Sequence, residues 1–399
     1  MFSMNLPHGV CFLLSRLRLA GFRADVVGGS VRDALLGMTP DDYDITTAAT
    51  PEETKAVFSD LRVIETGILH GTVTVLFENV PYEITTYRVD GEYRDGRHPV
   101  SVGFTRTLSE DLARRDFTMN ALCYNPEDGL TDLFGGREDI KLHTVRAVGD
   151  PAVRFSEDAL RILRAIRFAA KLGFSVEEET DAALRRKAPL LSRVSAERIC
   201  AEWTKLLSGK SCYDVLASYR EVITVFLPEL AASPLPPREG FDAAEPSVRF
   251  LSLFLPGRTP CEAATAFEIA TRRLKTDAAT RKTGTAVLRA FDSPTLTDAD
   301  LLRLASENGV PAAEKTLALR TLFAPAEKAR EARLRLLISS HAPYRISDLA
   351  VNGRDLLSIG LSGEQIGRMQ NLLLSAVIDG RVENEKTAIL SFAKKNGKD

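Results

Sequence analysis

Two carboxylates one residue apart, Asp42 and Asp44, stand shortly after a Gly28-Gly29-Ser30 turn. Side-by-side carboxylates repel each other unless a cation neutralises them, and Mg²⁺ prefers oxygen ligands of this kind. A glycine turn that opens a helix offers free backbone N–H groups to phosphates. Either feature alone is more often a surface loop, but together they predict nucleotidyl transfer with Mg²⁺.

The hydrophobic pattern indicates which elements hold these residues. Residues 24–27 are predicted to form an apolar strand, and residues 31–36 the helix after the turn. We expect residues 42–45 to form a second strand, on which the two aspartates would share a face because strand residues two apart point the same way. Glu83 lies on a later predicted strand and is a candidate third acidic neighbour, although a lone strand glutamate is usually solvated.

A second group of polar residues comprises Arg114-Arg115-Asp116 and Asn120, at the predicted start of a helix. Guanidinium groups bind phosphate oxygens bidentately, and a carboxylate can accept a hydrogen bond from a ribose hydroxyl. Without context such a triplet is most often a surface ion-pair cluster. The preceding segment, residues 88–99, has two Asp-Gly turns and alternating charge. It predicts a mobile surface loop, which either closes over substrate or is a plain hairpin tip.

A third group lies on a predicted helix that Ser156 caps. Asp158, Arg161 and Arg164 recur every three residues there and would share one helix face. One interpretation is a helix stabilised by internal ion pairs, such as Glu157 with Arg161. The other is base recognition: a carboxylate accepting from an exocyclic amine, beside an arginine donating to ring acceptors, would select cytosine and adenine.

Composition narrows the class of protein. The chain has 399 residues, 44% of them hydrophobic, and a net charge of −2, so any RNA site must come from local basic clusters. Five scattered cysteines without CxxC spacing argue against a zinc site or a disulfide framework and predict a cytoplasmic location. No segment is apolar enough for a membrane span.

Two basic clusters either contact RNA or form solvated helix faces. The first consists of Arg272, Arg273, Lys275, Arg281 and Lys282, and the second of Arg330, Arg333 and Arg335.

In their order along the chain, these motifs resemble those of the tRNA nucleotidyltransferases, the CCA-adding enzymes, in the bacterial class (class II) shared with poly(A) polymerases. The resemblance implies that Asp42 and Asp44 are catalytic and bind the metal. It implies ribose and triphosphate recognition by the second group of residues and base reading by Asp158 and Arg161. The nucleotide-binding residues that it implies are Gly28, Gly29, Ser30, Arg32, Arg115, Asp116, Asn120, Asp158, Arg161 and Arg164.

Details within the family favour full CCA addition. Residues 67–75, GILHGTVTV, resemble the tRNA-directed enzymes, and residues 88–99 resemble the flexible element that CC-adding relatives lack. Residues 351–356, VNGRDL, resemble the tail of CCA-adding enzymes. The implied reaction is template-independent addition of C, C and A to the 3′ end of tRNA from CTP and ATP, with release of pyrophosphate. It would proceed by two-metal-ion nucleotidyl transfer, with an Asp/Arg pair of the protein as the template. Alternatives are a poly(A) polymerase, a CC-adding or A-adding relative, and a catalytically silent RNA-binding module.

The expected fold is α+β in its first part and all-α in the rest. A polymerase-β-like nucleotidyltransferase head with an antiparallel or mixed sheet is predicted for residues 1–140. An all-α neck for base recognition follows at 141–208, a helical body at 209–270 and a helical tail for tRNA binding at 271–399. The expected partners are tRNA, CTP and ATP, with no membrane, and the oligomeric state stays open.

Overall fold

The computed structural model of the chain describes residues 2–91 and 102–396, and it divides into two compact units, Met1–Phe226 and Leu227–Asp399. The finer division into head, neck, body and tail stays a prediction. None of the helices in the described ranges combines the length and apolar character that a bilayer crossing demands. Of the segment 88–99, the first three residues form a strand, and residues 92–99 lie outside the described residues.

A mixed sheet organises the first unit. Its strands, as far as the described residues show, follow the order β3-β4-β5-β2-β1-β8-β9; β2 and β5 run parallel, and the other neighbours are antiparallel. Among the described residues, β6 also pairs with β7 (antiparallel) and β10 with β11 (parallel). The strands are β1 (Ala24–Val27), β2 (Asp44–Thr47), β3 (Arg62–Ile64), β4 (Thr72–Phe77), β5 (Val80–Thr86), β6 (Arg88–Asp90), β7 (Val102–Phe104), β8 (Leu122–Asn125), β9 (Gly129–Asp132), β10 (Thr144–Val145) and β11 (Ser175–Val176).

Helices flank this sheet and continue beyond it. The sequence pattern did not predict the short β10/β11 pair among them. The helices of the first unit are α1 (His8–Leu19), α2 (Gly29–Leu35), α3 (Pro51–Val57), α4 (Leu108–Ala113), α5 (Gly136–Lys141), α6 (Pro151–Glu157), α7 (Leu160–Leu172), α8 (Glu178–Lys187), α9 (Ala196–Leu207), α10 (Cys212–Ser218) and α11 (Arg220–Ile223).

Local chemistry explains the elements that the sequence predicted well. β1 has the predicted bounds, and all four of its residues are buried. The sequence Thr50-Pro51-Glu52-Glu53 has the signature of a helix start and predicts α3. In the structure the Thr50 hydroxyl accepts from the Glu53 backbone N–H, while the Glu53 carboxylate accepts from the Thr50 N–H. This capping box satisfies two N–H groups that would otherwise lack partners.

Three predictions near the site are wrong in detail. The second strand begins at Asp44 rather than Asp42, so Asp42 lies in the approach to β2. Arg114 does not start a helix; it follows the end of α4, and the next helical element is a single 3₁₀ turn, Thr118–Asn120. The helix predicted from Ser156 is broken at Asp158, which has extended backbone angles. Ser156 therefore lies inside α6 and bonds to the Ala152 carbonyl instead of capping a helix.

The second unit is helical throughout its described residues. Residues 233–246 are polar and rich in proline, a composition that predicts a long loop or a domain boundary, but α12 occupies part of this segment. Helices α16, α17, α18, α20 and α21 pack around buried side chains such as Leu301, Leu317, Leu334, Leu373 and Ile389. The helices are α12 (Arg238–Ala243), α13 (Pro246–Ser252), α14 (Pro260–Arg273), α15 (Ala278–Arg289), α16 (Asp298–Asn308), α17 (Val310–Phe323), α18 (Lys328–Ser339), α19 (Gly353–Leu357), α20 (Glu364–Ile378) and α21 (Lys386–Asn396).

Candidate active site

The glycine turn between β1 and α2 has a conformation that requires glycine. Gly28 has a φ of +78°, which L side chains rarely adopt. A Cβ atom at this position would also lie 3.1 Å from an Nη atom of Arg115. The Ser30 side chain is buried, and its hydroxyl donates to the Val27 carbonyl at 3.4 Å. Any contact that Ser30 makes with a nucleotide would therefore come from its backbone.

The parallel pairing of β2 with β5 brings two acidic residues together. Ile45 pairs with Ile84, so Asp44 and Glu83 are neighbours one residue earlier on each strand. Because neighbouring strands in register present equivalent side chains on one face, both carboxylates emerge on the same side of the sheet. Asp42 precedes this strand pair by two residues, and its charge acts on Asp44. We call Asp42, Asp44 and Glu83 the acidic face.

The acidic face carries uncompensated charge. Burial of its carboxylate raises the pKa of Asp44, and the charges of Asp42 and Glu83 raise it further, while Arg115 acts in the opposite direction. The Asp44 residue as a whole keeps a solvent-exposed surface, so it is accessible to a ligand. Within the described residues no lysine or arginine forms an ion pair with these carboxylates. The arrangement therefore favours the arrival of a cation.

The carboxylates of the acidic face fit Mg²⁺ that arrives with a substrate. In the part of the chain that the structure describes, no three acidic, histidine or cysteine side chains are close enough to enclose a metal ion alone. Magnesium commonly takes one or two carboxylates and completes its shell with water and substrate phosphates. The donors present are oxygen ligands that repel each other, which is the chemistry that such an ion relieves.

Arg115 lies between the glycine turn and the acidic face. Its Nη1 atom is the nearest side-chain neighbour of the space above Gly28, and its charge acts on Asp44. Its Nε atom is buried and has no hydrogen-bond partner in residues 2–91 and 102–396. An Nη atom lies 3.5 Å from buried Asp111. Buried polar groups normally have hydrogen-bond partners. The guanidinium of Arg115 is therefore positioned to bind an anionic ligand through its free N–H donor.

Asp111 supports this arginine and was missed in the sequence. Its carboxylate accepts from the Thr46 hydroxyl of β2 at 3.2 Å, the Arg88 backbone N–H at 3.3 Å and Arg114 at 2.7 Å. Burial alone would raise the pKa of Asp111, but the charges of Arg114 and Arg115 hold it below its ordinary value. The only local signal was an aspartate three residues before Arg114, a spacing that allows an ion pair along a helix.

The ribose candidates Asp116 and Asn120 belong to a connected group that we call the arginine network, which also includes Arg32, Arg164 and Glu202. Asn120 donates to Asp116 at 3.0 Å and accepts from Arg32 at 2.7 Å. Arg164 donates to Asp116 at 2.8 and 2.5 Å and lies 3.8 Å from Glu202. Each charge in this network has a partner of opposite sign, since Arg32 also contacts Asp33.

The electrostatics of the arginine network are opposite to those of the acidic face. Burial would raise the pKa of Asp116, but the Arg164 charge and the hydrogen bonds from Asn120 and Arg164 lower it to about 2. The guanidinium carbons of Arg32 and Arg164 lie 5.0 and 5.5 Å from the centre of the Phe168 ring. These cation–π contacts add to the ion pairs. Asp116 is therefore a fixed, ionised acceptor at neutral pH.

The base-reading candidates lie at the break between α6 and α7, not on one helix face. Asp158 accepts from the Leu160 N–H at 3.1 Å and from both Nη atoms of Arg198, on α9, at 3.2 and 2.7 Å. Arg161 donates to Glu157 at 2.6 Å and to the Arg114 carbonyl at 2.9 Å. The ion pair between Glu157 and Arg161 that the sequence suggested is thus present. The partnership with Arg198 was missed because it joins residues forty positions apart.

Comparison with known proteins identifies the family. Three family models match the chain: "Poly A polymerase head domain" at residues 24–146, "Probable RNA and SrmB- binding site of polymerase A" at 173–233, and "tRNA nucleotidyltransferase domain 2 putative" at 264–393. The CCA-adding enzyme of Lacticaseibacillus paracasei is 35% identical over 97% of this chain and 96% of its own length. This chain belongs to the CCA-adding enzymes. The Latilactobacillus sakei CCA-adding enzyme is 37% identical, with 96% of each chain covered.

A solved structure supports the same assignment. The crystal structure of the Bacillus stearothermophilus CCA-adding enzyme in complex with CTP superposes with a TM-score of 0.78 and 31% identity, covering 98% of each chain. The α+β head followed by helical domains, expected from the sequence, is confirmed, as are the family and the nucleotidyltransferase activity. The individual site residues stay predictions.

Proposed function

We propose that this chain adds C, C and A to the 3′ end of tRNA from CTP and ATP and releases pyrophosphate. The observation that carries the proposal is similarity to CCA-adding enzymes along nearly the whole chain, in a sequence that keeps the Asp42 and Asp44 pair. The partners are tRNA, CTP and ATP. A cytoplasmic location stays a prediction.

In this proposal the acidic face performs the metal-dependent step. Asp42 and Asp44 hold Mg²⁺, and Glu83 contributes its charge from the neighbouring strand. When bound, Mg²⁺ supplies charge neutralisation at the triphosphate and acidifies the attacking 3′-hydroxyl. The protein contributes position, because transfer of a phosphoryl group needs little covalent help from side chains. Repulsion among the carboxylates makes the site selective for a cation over a neutral ligand.

The groups beside the acidic face would orient the nucleotide. The unpartnered Nε–H of Arg115 and the backbone around Gly28 and Gly29 are proposed to bind the triphosphate. Asp116, ionised and held in place by Arg164 and Asn120, is proposed to accept from a ribose hydroxyl. Arg32 would act through Asn120, since its guanidinium already donates to that side chain.

Base selection would use the hydrogen-bond donors and acceptors of Asp158 and Arg161 that are not engaged in contacts within the protein. An ionised carboxylate has about four acceptor positions, of which Asp158 uses three. A guanidinium has about five N–H donors, and Arg161 uses three in its contacts with Glu157, Arg114 and Arg154. Asp158 can therefore accept from an exocyclic amine while Arg198 holds it, and Arg161 can donate to a ring acceptor.

The test is incubation of the purified chain with Mg²⁺ and tRNA transcripts that end at the discriminator base, at C or at CC. CTP and ATP are added singly and together, with a chelator control, and products are resolved at single-nucleotide steps. All three transcripts should become CCA-ended and stop there. Indefinite addition of A would support the poly(A) polymerase alternative, and addition of only CC or only A would support a partial enzyme. Absence of any incorporation would support a silent RNA-binding module.

A further inference from the structure

The two basic clusters of the second unit differ once their partners are known. In the second cluster Arg330 pairs with Glu327, Arg333 with Asp298 at 2.5 Å, and Arg335 with Glu314 at 3.1 Å. Each of these arginines faces a carboxylate, so this surface is close to neutral. It has the character of a solvated helix face.

Three residues of the first cluster, Arg272, Arg281 and Lys282, instead line a groove between α14 and α15 with a volume of about 400 Å³. Arg273 lies outside this lining and pairs with Glu229 at 2.7 Å. Four cationic side chains and one carboxylate line the groove, which leaves an excess of three positive charges. The lining residues are Glu268, Arg272, Ala278, Arg281, Lys282, Thr285, Ala286 and Arg289. Arg289 was not among the residues that the sequence singled out.

Two of the cationic side chains of this groove already have hydrogen-bond partners in the protein, and two do not. Arg272 donates to Glu268 at 2.7 Å, and Arg281 donates to the Thr276 carbonyl at the start of α15. Lys282 and Arg289 are exposed and make no hydrogen bond or ion pair within residues 2–91 and 102–396. They are seven residues apart on α15, about two helical turns, so they lie on one face roughly 10 Å from each other.

The two helices form a firm base for these cations. Gly284 of α15 lies against the ring of Phe267 of α14, where an added Cβ atom would be 2.3 Å from a ring carbon. This absence of a side chain lets the two helices approach closely. Small residues, Ala278 and Ala286, line the groove beside the cations. A polyanion could therefore approach the helix surface without displacing a bulky side chain.

We propose that the α14/α15 groove is a binding surface for the phosphate backbone of tRNA, with Lys282 and Arg289 as its principal phosphate contacts. An RNA backbone presents repeated anionic groups, which two neighbouring cations without ion-pair partners attract, and such contacts give affinity without reading sequence. This inference rests on the proposed function, because the substrate of that function is the RNA that would occupy the groove. The neutral second cluster does not contribute.

The test compares two double charge reversals of the full chain. In the first, Lys282→Glu is combined with Arg289→Glu; the matched control combines Arg333→Glu with Arg335→Glu in the neutral cluster. Binding of a tRNA transcript is measured by fluorescence anisotropy at several salt concentrations, and circular dichroism confirms that both variants fold. The groove variant should bind about tenfold more weakly, with a log–log salt slope reduced by about two, because two phosphate contacts are lost.

Kinetics provide a second readout, which separates this inference from the proposed function. The groove variant should show a raised KM for tRNA, with kcat at saturating tRNA and KM for CTP unchanged, and the control should resemble the parent chain. Equal weakening in both variants, or unchanged tRNA affinity in the groove variant, would overturn the inference. If the parent chain binds tRNA but adds no nucleotide, the proposed function fails while the binding comparison still decides the role of the groove.

Discussion

The acidic face and the arginine network differ in how their charges are compensated, although both belong to the first unit. Asp42, Asp44 and Glu83 repel each other and form no ion pair among the described residues, whereas Asp116 is surrounded by donors that lower its pKa to about 2. Carboxylates that lack an ion-pair partner favour the binding of a cation that arrives with the substrate. The opposite charges around Asp116 hold its carboxylate as a hydrogen-bond acceptor before the substrate binds. The arginine network therefore positions the nucleotide, and the acidic face takes part in the reaction.

The strongest test of this difference is Asp44→Asn, which keeps the shape of the side chain and removes its charge. Catalysis should fall by about 10³-fold or more, because the loss of a preorganised charge at the reacting centre has effects of this order. Thermal stability should be unchanged or higher, since a repulsive charge is removed. The measurements are single-turnover C addition and thermal melting. Asp41→Asn, an exposed neighbour, is the control, and a comparable loss there would contradict the assignment.

Arg164→Gln examines the opposite case, a buried charge that loses its partner. Asp116 would remain in the arginine network without its principal cation, which costs about 3 kcal/mol of unfolding free energy. Denaturant titration at neutral pH measures this loss. Arg368→Gln, which removes an exposed ion pair with Glu364 on α20, should cost less than about 1 kcal/mol. An equally small effect at Arg164 would mean that the network does not hold Asp116 as proposed.

Acid sensitivity sharpens the comparison further. The pKa of Asp116 is about 2 in the folded chain, below the 3.8 of an unperturbed aspartate. A lowered folded-state pKa contributes stability that is complete above about pH 4 and is lost as the pH falls towards 2. The contribution is about 2 kcal/mol. The difference in unfolding free energy between the parent chain and Asp116→Asn should therefore shrink by about this amount between pH 5 and pH 2.5. A difference independent of pH would refute the shift.

The smallest effect is expected at the helix break. Asp158→Ala removes the acceptor for an exocyclic amine, so the preference for CTP and ATP over UTP and GTP should fall about tenfold while catalysis continues. Single-nucleotide incorporation assays with each of the four triphosphates give the ratio. Asp181→Ala, on α8, provides a control with the same chemical change. Retained selectivity in the Asp158 variant would exclude base reading by this carboxylate.

The sequence predicts well what depends on neighbouring residues. The capping box at Thr50 and the strand before Gly28 both follow from short-range rules. The helix break at Asp158 could not be predicted, because apolar residues continue at helical spacing through a segment without glycine or proline. There the carboxylate accepts the Leu160 N–H and competes with the helix for it.

Side-chain contacts between residues far apart in the sequence could not be predicted from local sequence patterns. The contacts of Asp158 with Arg198 and of Asp116 with Arg164 join segments about forty residues apart or more. The proximity of Asp44 to Glu83 depends on β2 and β5 pairing in parallel, which neither strand alone reveals. The family resemblance supplied the identity of most candidate residues. The tertiary structure shows which of them already have partners.

The parallel pairing of β2 with β5 also affects how the chain folds. β3 and β4 lie between these two strands in the sequence, and Ile45 pairs with Ile84 across 38 intervening residues. Closing a loop of this length costs conformational entropy before the contact stabilises the sheet, and non-local pairings of this kind form slowly. Asp44 and Glu83 repel each other, so their carboxylates add nothing to drive the closure. A ribosome-bound chain that has emerged only to Phe77 would contain both aspartates and the glycine turn but not β5, and it could not yet assemble the acidic face.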